Sequence, residues 1–432
     1  MGEPAERAPL ASERLDSLVA VLDLVRAGAA ATRPELGRHS GLGRTVIAQR
    51  VAELMEHGLV GDGALGPSTG GRAPRQLTFR ADAGHVLVAE LGATALNVAL
   101  ADLSGHLLTQ YRERNDIAAG PERTLDRVEA LFDRILAERP DAADLLWGIG
   151  VGVPGPVEFA TGRPIAPPIM PGWDDYPVRD RLATRYRVST WVDNEVNTMA
   201  LGEYRAGLAK GVDDVVYVKI GTGIGAGLIS GGRLHRGGQG CAGDVGHVAV
   251  VDDTDVVCRC GNVGCLEALA GGGALAREGT RAAREGRSGY LAEVLASGRP
   301  INGSDISTAA RHGDPVSVEL LARSGRLIGT TLATVVNFYN PSLIVIGGQV
   351  ANAGDVLLAA IRQVVYRRSL PLATRDLRIV HSALGDRAGL MGAAYMVIDE
   401  LFSRQHLPLW IDAGSPRGRT DIPAALVATG GR

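Results

Sequence analysis

The sequence predicts an α/β protein carrying a small helical module at its front. Three observations lead there. The first 60 residues have apolar side chains at helical spacing, broken by glycine turns. From His85 onward, short apolar runs alternate with helical stretches. And three of the four cysteines crowd into Cys258–Cys265, with His247 just upstream.

The front module comes first in chain order. Leu15, Leu18, Val19, Leu22 and Val25 recur at helical spacing, and Gly28 ends the run. Thr32 is a cap and Pro34 opens a short second helix over Arg33–His39. A turn at Ser40-Gly41-Leu42-Gly43 leads into a third helix, Arg44–His57, with Val46, Val51, Leu54 and Met55 facing inward. Helix, short helix, glycine turn and helix is the helix-turn-helix plan, whose last helix lies in the major groove. Arg44, Thr45, Gln49 and Arg50 are then the candidate DNA contacts. The next stretch, residues 61–79, reads as two extended pieces around a Gly/Pro/Ser tip, a wing with Arg72 and Arg75 at or near its end. Between Arg26 and Arg80 there are eight Arg against four acids, while the whole chain carries −3. A basic module on an acidic protein points to a polyanion partner. The competing reading is a three-helix packing module with a solvated basic loop.

The body follows. Strands are predicted at residues 86–91, 95–100, 106–111, 147–152, 187–192, 214–220, 225–231 and 342–348. Helices are predicted near Pro121–Arg139, Glu195–Gly207, Val316–Phe338, Val356–Tyr366 and Arg387–Phe402. With 432 residues, two or three domains are expected. They divide as 1–80 for the winged helix, 81–200 for a first lobe joined by the return helix 387–402, 201–386 for a second lobe, and 403–432 for a loosely ordered tail. No apolar run of about 18 residues exists, so no membrane span is expected. The polar, acid-bearing Met1–Asp16 is unlike a secretory signal, which implies a reducing cytoplasm and argues against disulfides.

Three thiolates and one imidazole, Cys258, Cys260, Cys265 and His247, complete a closed tetrahedral shell of the structural zinc kind. Two glycine-rich hairpins stand between strands: Glu90–Thr94, with Gly92 and Thr94, and Gly221–Gly227, with Gly221, Thr222, Gly223 and Gly225. A dinucleotide fold needs a helix directly after its glycines. A hairpin whose backbone N–H groups approach phosphate suits these better. Gly347-Gly348 ends a strand and opens a helix, which also suits a nucleotide.

At this point the chain resembles the ROK family of bacterial sugar kinases and sugar-responsive repressors. The resemblance covers essentially all of Arg14–Phe402. It rests on Gly240-Cys241-Ala242-Gly243-Asp244-Val245-Gly246-His247, on Cys258/Cys260/Cys265 followed by Leu266-Glu267, and on Val192-Asp193-Asn194-Glu195-Val196-Asn197. It implies an actin-like, two-lobed ATPase fold. It also implies zinc on His247 and the three cysteines, and sugar contacts from Asn194, Asp244, His247 and Glu267. Glu195 stands at the catalytic-base position beside the sugar, and the hairpins with Gly347 and Gly348 would hold ATP. The winged helix marks the repressor branch.

The chain departs from the kinase pattern at selected places. Glu195 stands where kinases have Asp, and a shift of about 1 Å at a base can cost roughly 100-fold in rate. The first hairpin reads Glu90-Leu91-Gly92-Ala93-Thr94-Ala95 in place of Asp-x-Gly-Gly-Thr-Lys. Asp244 replaces the usual Glu, and Ala166–Trp173 lacks a customary Asn. The expectation is a cytoplasmic, sugar-responsive DNA-binding regulator acting as a repressor. It would work as a homodimer or homotetramer on double-stranded operator DNA, with sugar or sugar phosphate between the lobes. ATP binding and enzyme activity are left in question. The alternatives are an active sugar kinase with a DNA-binding front end and a protein–protein scaffold with both functions lost.

Overall fold

The structure is a computed structural model, and it describes residues 7–65, 75–351 and 355–426. The front module consists of α1 (Arg7–Arg26), α2 (Arg33–Ser40), α3 (Arg44–Glu56) and the antiparallel pair β1 (Val60–Leu65) and β2 (Arg75–Phe79). Thr32 caps α2 in a reciprocal box: its hydroxyl accepts from the Glu35 amide and the Glu35 carboxylate accepts from the Thr32 amide at 3.0 Å. On α3 the buried positions are Ile47, Val51 and Leu54; the predicted inward Val46 and Met55 are half-buried. Stepping back one turn from Val51 reaches position 47, so Ile47 rather than Val46 completes the buried face, while Val51 and Leu54 lie where predicted.

Two lobes follow. The first holds β3 (His85–Leu91), β4 (Ala95–Asp102), β5 (Leu107–Arg114), α4 (Pro121–Glu138), α5 (Pro140–Asp144), β6 (Leu146–Val153), the short pair β7 (Val157–Glu158) and β8 (Arg163–Pro164), α6 (Val178–Tyr186) and β9 (Ser189–Asn194). After α7 (Glu195–Ala206), the second lobe holds β10 (Val215–Ile220), β11 (Ile224–Ser230), β12 (Arg233–His235), the helices α8 (Leu266–Ala270), α9 (Gly272–Arg284), α10 (Gly289–Ala296), α11 (Gly303–Arg311) and α12 (Pro315–Tyr339), then β13 (Leu343–Gly347), α13 (Asp355–Arg368), α14 (Pro371–Thr374) and β14 (Arg378–His381). The return helix is α15 (Ala388–Leu401).

The sheets run β5-β4-β3-β6-β9 and β12-β11-β10-β13-β14, the same order in each lobe. In both, the first three strands are antiparallel and the central one pairs in parallel with the fourth. Helices α7 and α15 cross between the lobes at glycines. A Cβ on Gly392 would fall 1.6 Å from the Thr198 carbonyl oxygen, and one on Gly202 would fall 2.1 Å from that of Ala388. Only hydrogen fits at either place, so the two backbones approach closely.

One expectation needs correcting. The tail is not loose through residue 426: His406, Leu407, Trp410, Ile411 and Ile422 are buried. They pack on the same face of the first sheet as α15, where Trp410 meets Trp147 with ring centroids 5.2 Å apart. The front module also packs against the first lobe. Its buried Leu18, Val21, Leu22 and Leu54 are continuous with Trp147, Phe402 and Trp410 in one apolar cluster. Phe79 meets Phe402 edge-on at 5.8 Å, and Arg26 lies over the Phe402 ring while pairing with Asp399 at 3.2 Å. Helices α8–α11 and strand β14 were not predicted. Most are short; the exception is the 13-residue α9, whose buried face is made of Ala, Gly and one Leu.

Candidate functional site

A cleft of about 660 Å³ opens between the lobes, and its lining draws on both sheets, both glycine hairpins and the cysteine loop. The cysteines come together through a small hairpin: the Cys258 amide donates to the Asn262 carbonyl at 2.7 Å, and Val257 bridges to Val263. One ligand atom from each of His247, Cys258, Cys260 and Cys265 lies within 4.8 Å of the others. Cys260 Sγ is 3.7 Å from Cys265 Sγ, and Cys258 Sγ is 3.6 Å from His247 Nδ1. Metal–sulfur bonds of about 2.3 Å in a tetrahedron give an edge of about 3.8 Å, so the four groups fit a tetrahedral ion. Burial pushes the Cys265 thiol up to about 12 and also raises Cys258. An ion that binds here must therefore displace protons.

His247 Nδ1 faces the thiols, while its Nε2 points toward Asp244 at 3.9 Å. One ring can thus hold an ion on one side and present N–H to the cleft on the other. Asp244, half-exposed, has its carboxyl raised by burial. Glu267, in the first turn of α8 directly after Cys265, accepts from the Ile224 amide at 3.1 Å. The four candidate ligands therefore share the loop that brings Asp244, His247 and Glu267 into the cleft lining.

Asn194 lines the cleft, yet its amide has other work. Oδ1 caps α7 through the Val196 amide at 2.7 Å, and Nδ2 donates to the Gly155 carbonyl at 2.7 Å. Beside it the wholly buried Asp193 pairs with Arg236 at 2.7 Å across the lobes. Glu195 opens α7, 6% exposed, and is bonded to Lys219. Glu90 takes a hydrogen bond from Asn97 at 3.2 Å, and burial pushes its carboxyl up to about 7.

The hairpin glycines divide by role. Gly92, Thr94, Gly221, Thr222 and Gly223 line the cleft. Gly225 also borders it, but with Gly227 it admits α7: a Cβ on Gly227 would fall 2.7 Å from the Val196 carbonyl oxygen. Gly348, with φ +94, lines the cleft, whereas Gly347 is a packing residue whose Cβ would fall 1.9 Å from the Tyr217 hydroxyl. The helix expected to open at this pair starts at Asp355.

On the front module, Arg44, Thr45 and Gln49 are exposed on one face of α3. Arg75 is exposed and paired with Asp62 at 3.1 Å, and Arg72 lies outside the described residues. Arg50 corrects the prediction. Its side chain is 14% exposed and is spent on Glu53 at 2.7 Å and the Ser17 hydroxyl at 3.0 Å, where it ties α3 to α1.

Sequence reasoning passed over Lys219 and Arg236. Lys219 did leave a signal, since it is the only charge within an otherwise apolar strand, directly before a glycine hairpin. Arg236 left none, because its partner Asp193 is 43 residues away.

Residues 86–400 match the ROK family. The xylose repressor of Caldicellulosiruptor bescii is 30% identical over 373 residues, which is 86% of this chain and 92% of that protein. A solved ROK family transcriptional regulator, a homolog of the E. coli MLC protein, has a TM-score of 0.77 at 27% identity and covers 93% of this chain and 99% of its own. A ROK family glucokinase from Streptomyces griseus, solved with glucose and AMPPNP, has a TM-score of 0.62 at 31% identity and covers 72% of this chain and 99% of its own.

Proposed function

The chain belongs to the ROK family, and we propose that it is a sugar-responsive transcriptional repressor. One observation carries this reading: the likeness to a regulator extends over 93% of the chain, front module included, while the likeness to a glucokinase covers 72%. In this reading the exposed Arg44, Thr45 and Gln49 face the operator, with Arg75 on the wing. A sugar sits between the lobes and accepts and donates hydrogen bonds at Asp244, His247 and Glu267. Zinc on His247, Cys258, Cys260 and Cys265 holds that loop in place. The protein acts in the cytoplasm as a homodimer on an inverted repeat. No helix among the described residues is long and apolar enough to cross a membrane.

Helix α15 offers the path between the two functions. Its first turn abuts the cleft, since a Cβ on Gly389 would fall 2.5 Å from the Glu90 carboxyl carbon. Its last turn carries Asp399, which pairs with both Arg26 of α1 and Arg205 of α7. Fourteen residues span about 21 Å. A sugar that favours one lobe arrangement shifts α15 and the module packed on its end, and operator affinity changes by the difference in binding free energy.

The second reading, a sugar kinase, is favoured by the intact Gly221–Gly223 turn and opposed by the occupied Glu195. Purified protein with ATP and a panel of hexoses and pentoses separates them. The expected result is no turnover, together with a sugar-dependent change in binding to the protein's own upstream DNA. Turnover near the enzyme median of about 10 per second would overturn the repressor reading.

A further inference from the structure

One end of the cleft holds charges that sugar recognition does not require. Glu90 enters from β3 of the first lobe, Glu195 from the first turn of α7, and Lys219 from β10 of the second lobe; all three line one cavity. The Lys219 ammonium is bonded to Glu195 Oε1. Glu195 Oε2 is buried with no hydrogen-bond partner. Glu90 is 6% exposed, and Lys219 and Glu195 act on it in opposite senses, the ammonium favouring its ionised form and the carboxylate opposing it. The lysine stem runs along the second glycine hairpin, where a Cβ on Gly221 would come 3.2 Å from its Cε.

Two buried carboxyl groups sharing one cavity call for a cation or a proton between them. A nucleotide would deliver its own cation to such a place, because divalent ions that escort phosphate bind one or two carboxylates at about 2.0–2.1 Å. Here the chain supplies the cation itself. The arginine lining the cleft, Arg112, is already paired with Asp386. Asp244 and Glu267 add further acid to the lining. A phosphate entering this cleft meets an excess of negative charge and no unpaired arginine or lysine among the lining residues.

We propose that the Lys219 ammonium, paired with Glu195 in the cavity that Glu90 also lines, is the resident cation of the cleft and takes the place of a divalent metal, so that the cleft excludes metal–nucleotide and accepts an uncharged sugar. This rests on the reading of the protein as a regulator rather than a kinase. The same side chain joins the second lobe to the first helix between the lobes, so it also sets the lobe arrangement that a sugar must work against.

The test uses full-length protein and Mn2+ as a paramagnetic probe, with and without a non-hydrolysable ATP analogue. Wild type should hold no Mn2+ in the cleft at submillimolar concentration in either case. Lys219→Met keeps the stem and removes the charge; it should gain at least tenfold in Mn2+ affinity, and Lys219→Met/Glu90→Gln should lose that gain. If Lys219→Met melts early, Mn2+ should restore its melting temperature. Tight Mn2+–nucleotide binding by wild type, or no gain and no restoration in Lys219→Met, would overturn the assignment. The two readings fail separately. Sugar phosphorylation by wild type sinks the regulator reading, while a silent wild type paired with an indifferent Lys219→Met sinks only the role of Lys219.

Discussion

The two ends of the cleft are built from opposite materials. At one end, the loop that gathers His247, Cys258, Cys260 and Cys265 brings Asp244 and Glu267 into the lining, where Glu267 accepts from a backbone amide, that of Ile224. At the other, Lys219 pairs with one oxygen of Glu195, whose second oxygen is buried without a partner, and Glu90 is bonded to Asn97. Both ends derive from parts that a kinase would also need. The difference lies in whether a polar group's partner is already inside the protein or must come from a ligand. A carboxylate that waits for a partner binds; one that already has a lysine holds the lobes together.

The comparison breaks most visibly at the cluster of His247 and three cysteines. Structural tetrahedral sites of this type contribute about 10–16 kcal/mol of apparent binding free energy near neutral pH. Chelation, or Cys260→Ser, should therefore unfold the presenting loop and abolish sugar binding in calorimetry. Operator binding without sugar should persist, because the front module packs on the first lobe and on α15, away from the cysteines. Loss of both together would show that the two ends are not separable.

Next comes the buried acid. Glu90 sits near 7 when folded against an ordinary 4.5, raised by burial. The folded state thus binds its proton more tightly than the unfolded state. Its contribution is intact below about pH 4.5 and is lost as pH rises toward 7, up to roughly 3 kcal/mol. Glu90→Gln mimics the protonated form and should flatten the fall in stability between pH 5 and 7.5 in urea titrations. An unchanged slope would mean that Lys219, which faces this acid, already keeps it ionised.

Asp399→Ala should act on communication rather than on either end. It removes the partner of Arg26 and Arg205 at the end of α15. Sugar affinity should hold, while the sugar's effect on operator affinity should shrink by about 1–3 kcal/mol, the usual span of such couplings. The smallest effects separate two arginines of α3. Arg44→Ala should lower the salt dependence of DNA binding by about one unit of slope. Arg50→Ala should leave that slope alone and cost about 1 kcal/mol of stability, because its guanidinium bridges Ser17 and Glu53 inside the module. Equal salt slopes for wild type and Arg44→Ala would remove α3 as the recognition helix.

Much of the site was legible because its pieces are local. Thr32 with Glu35, the glycines of 221–223 and the Cys258–Cys265 knot each act across a few residues. Spacing alone brings such groups together, whatever the rest of the chain does. His247 could be placed with the cysteines for the same reason, being 11 residues from Cys258. Arg50 was misread because periodicity locates a helix face to within about one residue, and one residue turns a side chain by about 100°.

By itself, then, the amino-acid order determined the helical front module, most strands of the two sheets, the grouping of His247 with three cysteines and the glycine hairpins, all products of short-range propensity and spacing. Tertiary structure alone decided that Lys219 would meet Glu195, that Arg236 would cross the lobes to Asp193, and that the tail would cover Trp147. These pairs lie on different strands and helices, and nothing in local propensity links them. Strand order in two matching sheets, and the glycine-permitted crossing of α7 and α15, bring them within bonding distance.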